Sequence, residues 1–244
     1  MLRRVLISIV CVTFCLVGFC ATRTHEKLSY STTAVKTGVW STQFSNCKKY
    51  AEKIGVPLVV MWVNPGCGHC KSLCNDMAAS SKFSKWRESC GYVFVLGIGT
   101  QTKSGDQAKK FAKSDGTSTL SYYPFCAVYL NPLGSVSPTV KKVFTGNGLT
   151  ADSFRSKVKS VIKNYARIDL KACDNKGNPS TKYGEVVPVR WQKIGKTVTL
   201  KAKPKQGGRL IGWYNANGKF ITKNANRKVK VKKSTKYTAR FGKE

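Results

Sequence analysis

The reading turns on Pro57-Leu-Val-Val-Met-Trp-Val63 and the segment that follows it at once, Asn64-Pro-Gly-Cys-Gly-His-Cys-Lys71. The first is an unbroken apolar run, the pattern of a central strand buried on both faces. A helix is expected to begin near Cys67 and to carry Leu73, Cys74 and Met77 inward. Two thiols three positions apart at a helix start can close a disulfide ring. Cys67 would sit at the helix N-terminus, where unpaired N–H groups and the macrodipole favour a thiolate. The thiolate is the nucleophile in disulfide exchange. His69, between the sulfurs, can stabilise that anion further. A better-stabilised dithiol makes its disulfide a stronger oxidant.

Other uses of two such cysteines fit less well. A zinc site needs two more ligands. Cys74 and Cys90 could supply them, but an export route argues against thiols kept for zinc. The two histidines, His25 and His69, exclude a histidine-rich metal centre. Covalent haem attachment needs His after the second cysteine, where Lys71 stands. A structural disulfide has little reason to close so small a loop. The reading therefore calls for no metal and no cofactor.

Outward from this centre, residues 35–165 alternate helical and extended patterns. Ser41 to Ile54 places Phe44, Cys47, Ala51 and Ile54 at helical spacing, ended by Gly55 and Pro57. Tyr92-Val-Phe-Val-Leu-Gly-Ile98 and Phe125-Cys-Ala-Val-Tyr-Leu130 read as further buried strands, with a short helix around Asp106 to Lys113 between them. Thr139 to Thr145 reads as a fourth strand. A last helix opens at Thr150, a good N-cap, with Phe154, Val158, Val161, Ile162 and Tyr165 on one face.

This stretch resembles the thioredoxin superfamily. The resemblance rests on the order of elements, on Trp62-Val-Asn-Pro-Gly-Cys-Gly-His-Cys-Lys71 after a buried strand, and on Tyr123-Pro124 opening a later strand. Phe144-Thr-Gly146 with Leu149-Thr-Ala-Asp152 looks like the family's last strand and helix. The Cys-Gly-His-Cys tetrad, and Tyr before the proline, are similar to protein disulfide isomerases. The resemblance implies an α/β thioredoxin-like fold, a mixed central sheet flanked by helices. It implies a thiol–disulfide oxidoreductase with Cys67 as exposed nucleophile, Cys70 as buried resolving thiol and His69 tuning Cys67. It also implies a cis Pro124, which with Tyr123, Gly66 and Gly68 shapes a substrate groove. The partners expected are cysteine-containing protein substrates and a redox partner protein. Two positions depart from the family. Met61 stands where a buried carboxylate usually assists the resolving thiol, and Gly66 stands where Trp usually precedes the first cysteine. They leave open the direction of exchange: oxidase, isomerase or reductase.

Upstream, Arg3 and Arg4 precede an apolar run from Val5 to Phe19, with Gly18 and Cys20 suited to a cut before Ala21. Residues 1–20 are expected to be an export signal. An uncleaved membrane anchor is the alternative, since about 17 apolar residues can just span a bilayer. The protein is thus expected to be periplasmic or extracellular, or membrane-anchored if uncut. Residues 21–34 are polar and read as a flexible lead-in. Of ten cysteines, seven remain after such a cut: Cys47, Cys67, Cys70, Cys74, Cys90, Cys126 and Cys173. Cys74 and Cys126 could pair or be small buried hydrophobes, the commoner fate of free cysteine. Cys47, Cys90 and Cys173 could supply one structural disulfide.

Downstream, residues 166–244 change character. They hold 21 Lys+Arg and 4 Asp+Glu, a net of +17 of the chain's +32. Short alternating runs, Thr197-Val-Thr-Leu-Lys-Ala202 and Lys228-Val-Lys-Val-Lys232, are split by Gly-Gly, Asn-Gly and Lys-Pro. They read as a small basic all-β module. Gly195-Lys-Thr-Val-Thr-Leu-Lys-Ala-Lys-Pro204, Gly212-Trp-Tyr214, Gly218-Lys219 and Thr235-Lys-Tyr-Thr-Ala-Arg-Phe241 resemble the divergent internalin B-type repeats of bacterial surface proteins, over about 183–242. That resemblance implies an extracytoplasmic adaptor. Trp213 and Tyr214 read as core ahead of ligand stacking. The alternating Lys228, Lys230 and Lys232 read either as a solvated edge that blocks aggregation or as a ridge for anionic envelope polymer or lipid headgroups. The charge alone would suit nucleic acid, which the export signal disfavours. Two hypotheses remain: an exported oxidoreductase localised by its basic module, or a non-enzymatic envelope-binding protein on a thioredoxin-like scaffold.

Overall fold

The computed structural model describes residues 22–99, 123–134 and 139–244. The expected export signal and the helix around Asp106 to Lys113 lie outside the described residues.

β4 (Leu58–Val63) is the centre of the first half, and all six of its side chains are buried. Side chains alternate across a strand. Val59, Met61 and Val63 therefore face one layer, with Leu73, Met77, Phe83 and Phe154. Leu58, Val60 and Trp62 face the other, with Cys47 and Ala51. Burying each such side chain contributes roughly 1.5–3 kcal/mol. α1 (Phe44–Ile54) covers the second layer, and Gly55 ends it in the left-handed conformation at φ +69°. α2 (Gly68–Ala79), α3 (Ser81–Ser89) and α4 (Ala151–Ile162) cover the first. α3 was not legible in the spacing; Ser80 caps it, its hydroxyl accepting from the Phe83 N–H at 3.1 Å. Thr150 caps α4 as expected, accepting from the Ser153 N–H at 3.2 Å.

The sheet is mixed. β5 (Val93–Ile98) pairs parallel to β4, and β6 (Phe125–Leu130) pairs antiparallel on its other side. β7 (Val140–Thr145) lies beyond β6, and β3 (Trp40–Ser41) beyond β5. Gly97 stands opposite Trp62 in the register, and a Cβ there would occupy the place of the indole.

The flexible lead-in expected over 21–34 is corrected by the structure. β1 (Thr22–His25) and β2 (Leu28–Ser31) form a hairpin that joins the sheet beside β3, giving seven strands in the order β1-β2-β3-β5-β4-β6-β7. Leu28 is buried in the first layer, and the Ser31 hydroxyl accepts from the Ala34 N–H at 2.8 Å. A polar segment is ordered because one apolar anchor and an open sheet edge suffice.

The second half is all β. A five-stranded sheet, β10-β8-β15-β12-β13, faces a three-stranded one, β14-β11-β9. Their strands are β8 (Tyr165–Cys173), β9 (Gly184–Val187), β10 (Arg190–Lys193), β11 (Thr197–Pro204), β12 (Gly208–Tyr214), β13 (Phe220–Thr222), β14 (Asn226–Lys230) and β15 (Thr235–Lys243). Leu200, Trp213, Ala239 and Phe241 fill the space between. Trp213 is thus core, while Tyr214 lies under the Arg240 guanidinium at 4.1 Å. Tyr165 belongs to β8 and not to the last helix, so the boundary drawn after 165 falls inside a strand. No linker intervenes.

The halves are docked by hydrogen bonds between side chains of one half and main-chain groups of the other. Asn131, buried at φ +55°, accepts from the Trp191 N–H at 3.1 Å and donates to the Trp191 carbonyl at 3.0 Å. The Trp191 indole donates to the Gly55 carbonyl at 3.0 Å. Asn131→Gly keeps the left-handed backbone accessible but strips both bonds to Trp191. It should lower stability by about 2–6 kcal/mol, since each of the two main-chain groups left unpaired costs about 1–3 kcal/mol. A urea midpoint equal to wild type would contradict this docking.

Candidate functional site

Where β4 ends, Asn64 organises the turn into α2. Its carbonyl accepts from the Cys67 N–H at 3.0 Å and its side-chain oxygen from the Gly66 N–H at 3.0 Å. Cys67 is thereby the N-cap of α2. Its sulfur accepts the Cys70 N–H at 3.2 Å, satisfying one of the helix's unpaired donors. The helix start expected near Cys67 is where the sequence placed it.

The two sulfurs have different surroundings. Cys67 is half-buried between exposed Gly66 and Gly68. Cys70 is fully buried on the inward side of the first turn. Burial, then its hydrogen bond to Cys67, pushes the Cys70 thiol well up. It stays protonated where an exposed thiol would ionise.

The Tyr123–Pro124 bond is cis. The Cys67 thiol lies 3.7 Å from the Tyr123 carbonyl oxygen, to which it donates. Pro124 is held from behind: the Gly146 N–H donates to its carbonyl at 2.7 Å, and a Cβ on Gly146 would stand 2.8 Å from its ring. The structure thus brings Cys67, Cys70, Tyr123 and Pro124 together across 56 residues. It does not bring His69 to the sulfur. His69 is exposed on the first turn of α2, and no hydrogen bond joins it to Cys67.

Beneath Cys70 lie Cys74, Cys126 and Met61 in the same core layer. Met61 is opposite Cys126 in the β4–β6 register, so the layer beneath Cys70 is apolar there. All seven cysteines of the described chain are free thiols. Cys74 and Cys126 are small buried members of the core. Burial pushes Cys126 well above its ordinary value. Burial first, then the Glu26 carboxylate and Cys67, push Cys74 up to about 12.

Sequence reasoning missed Glu26. It sits in the turn of the β1–β2 hairpin, 3.8 Å from the Lys71 ammonium, beside the Lys27 N–H that donates to Asn75 of α2 at 3.2 Å. Reading residues 21–34 as unstructured hid it. Apolar alternation at Leu28 and Tyr30 was the available signal. Among the described residues, no three His, Cys, Asp or Glu side chains are grouped as metal ligands.

Residues 179–244 match the family model described as divergent InlB B-repeat domain. The match extends the resemblance read over 183–242. Solved structures similar to part of this chain include three oxidoreductase and thioredoxin domains. A DsbH oxidoreductase is 12% identical, covering 57% of this chain and 95% of its own, with a TM-score of 0.39. A thioredoxin from Thermus thermophilus is 11% identical, covering 48% and 82%, at 0.38. The first thioredoxin domain of mouse protein disulfide-isomerase A4 is 12% identical, covering 59% and 81%, at 0.35. No curated protein matches the chain.

The Cys74 shift carries a pH signature. The native thiol holds its proton up to about pH 12 against an ordinary 9.0. Above pH 9 the unfolded chain therefore binds fewer protons than the native one, and stability falls as pH rises. The contribution is complete below 9 and is lost progressively toward 12. Denaturant midpoints measured from pH 8 to 11 should decline less steeply in Cys74→Ala than in wild type. Identical slopes would contradict the assignment.

Proposed function

We propose that the chain is an exported thiol–disulfide oxidoreductase acting on cysteine-containing proteins through Cys67 and Cys70. One observation carries the reading: a half-exposed sulfur caps α2 and faces the carbonyl before the cis-proline, with a second, protonated thiol buried one helical turn on. As a reductase, the Cys67 thiolate attacks one sulfur of a substrate disulfide. A mixed disulfide forms and one substrate thiolate leaves. Cys70 then gives up its proton and attacks the Cys67 sulfur. The second substrate thiolate leaves, and the Cys67–Cys70 disulfide remains. Two electrons pass to the substrate, which takes up two protons. The reverse sequence oxidises a substrate dithiol. A redox partner protein of the same exchange chemistry restores the starting state.

Pro124, Tyr123, Gly66 and Gly68 form the walls of the substrate groove in this reading. Gly66 leaves its own side of Cys67 without an aromatic side chain, which suits an unfolded chain segment. Met61 offers no base for Cys70, so water entering with the substrate carries its proton. His69, held in solvent, makes no hydrogen bond to Cys67. Residues 1–20 direct export, and the basic module holds the enzyme at an anionic envelope surface, whether polymer or lipid headgroup.

Insulin reduction and reactivation of scrambled ribonuclease test the reading. Cys67→Ser should abolish both activities, and Cys70→Ser should accumulate mixed disulfides with substrate. Unimpaired turnover in both variants would contradict the assignment to Cys67 and Cys70, and no turnover by the wild-type protein would instead favour a non-enzymatic envelope-binding protein.

A further inference from the structure

The outer face of the β14-β11-β9 sheet has an unusual composition. Leu200, Ala202, Val229 and Val231 point into the core. The alternate positions, Lys201 and Lys203 on β11 and Lys228 and Lys230 on β14, are all exposed. The register places Thr199 opposite Lys228, Thr197 opposite Lys230 and Asn226 opposite Lys201. No lysine faces another directly, and the four run as a diagonal ribbon. Residues two apart on a strand are about 7 Å apart, and diagonal neighbours across strands about 7–8 Å. One carboxylate, Glu185, joins the face, opposite Lys203 at the far end.

Keeping an edge strand soluble needs fewer charges than this. Lys201 lies on the central strand, paired to Asn226 on one side and Val187 on the other, where no open edge has to be guarded. Three ammonium groups with no carboxylate opposite them, and a fourth facing Glu185 at the end, form a line of positive potential at regular spacing. Between them stand hydroxyls and an amide, which hydrogen-bond to neutral polar groups. The face carries no aromatic side chain, so it offers bases no stacking platform, and its one apolar member is Val187.

We propose that this face binds a linear polyol-phosphate polymer: a chain with one phosphodiester charge per repeat, hydroxyls between, and no bases. The ammonium groups meet the phosphates, and Thr197, Thr199 and Asn226 meet the polyol hydroxyls. This gives the partner class of the basic module a defined surface. It does not depend on the thiol chemistry.

The test uses the full chain and fluorescently labelled poly(glycerol phosphate), followed by anisotropy over a salt series. The face variant K201Q/K228Q should bind at least tenfold more weakly at about 50 mM salt, and the slope of log K against log salt should lessen by about 1.4, two contacts at 0.7 each. K176Q/K219Q removes the same charge elsewhere in the module and should stay within about twofold of wild type. Cys67→Ser should bind as wild type, which separates this inference from the proposed activity. Unfolding midpoints of both double variants confirm that exposed substitutions leave the fold intact. Equal losses in the two double variants would overturn the proposal, because net charge would then be the cause. So would tighter binding to oligo(dT) of equal phosphate number, or binding to phosphatidylglycerol vesicles without binding to the polymer.

Discussion

Everything at the candidate site depends on the burial of β4 from both sides. Six consecutive side chains leave solvent, so helices must cover both faces of the strand. That fixes where the chain leaves the sheet. It exits at Val63, turns through Asn64-Pro-Gly66 and enters α2 at Gly68. Cys67 is held at the junction, where a helix lacks partners for its first N–H groups. The same strand pairs with β6, whose first residue follows Pro124. One buried strand therefore sets both walls of the site.

The asymmetry of the two thiols follows from the helix. Cys67 caps it and remains accessible; three residues later the inward face begins, and Cys70 is enclosed. Burial keeps Cys70 neutral. With Met61 beneath it, that neutrality is set by an apolar layer, while the Glu26 carboxylate acts on Cys74.

Much of this was legible from the sequence. The apolar run at 58–63, the helix start at Cys67, the extended segment after Pro124 and the N-cap at Thr150 are local patterns with local causes. The docking of Asn131 onto Trp191 was not legible, because it joins positions 60 residues apart through main-chain groups. The hairpin at 22–31 was missed because its polar composition resembles a tail; pairing with β3 is a tertiary gain that composition does not reveal. The placement of Tyr165 in β8 had a similar cause: an aromatic at helical spacing serves a strand equally well. His69 shows the opposite limit. Its position between the cysteines was evident, and its side chain nevertheless points to solvent.

The +32 of the chain is not spread evenly in its consequences. In the second half it is arranged by strand alternation, which sends every second residue of β11 and β14 outward. The first half carries its chemistry on sulfur. The central claim is that Cys67 and Cys70 form one two-electron couple. It is tested most directly by equilibrating the protein in glutathione buffers of graded potential, quenching, and mapping disulfides by mass spectrometry. The account predicts a single transition in which Cys67 joins Cys70 while Cys74 and Cys126 remain thiols. A transition that leaves Cys67 and Cys70 unjoined would contradict it.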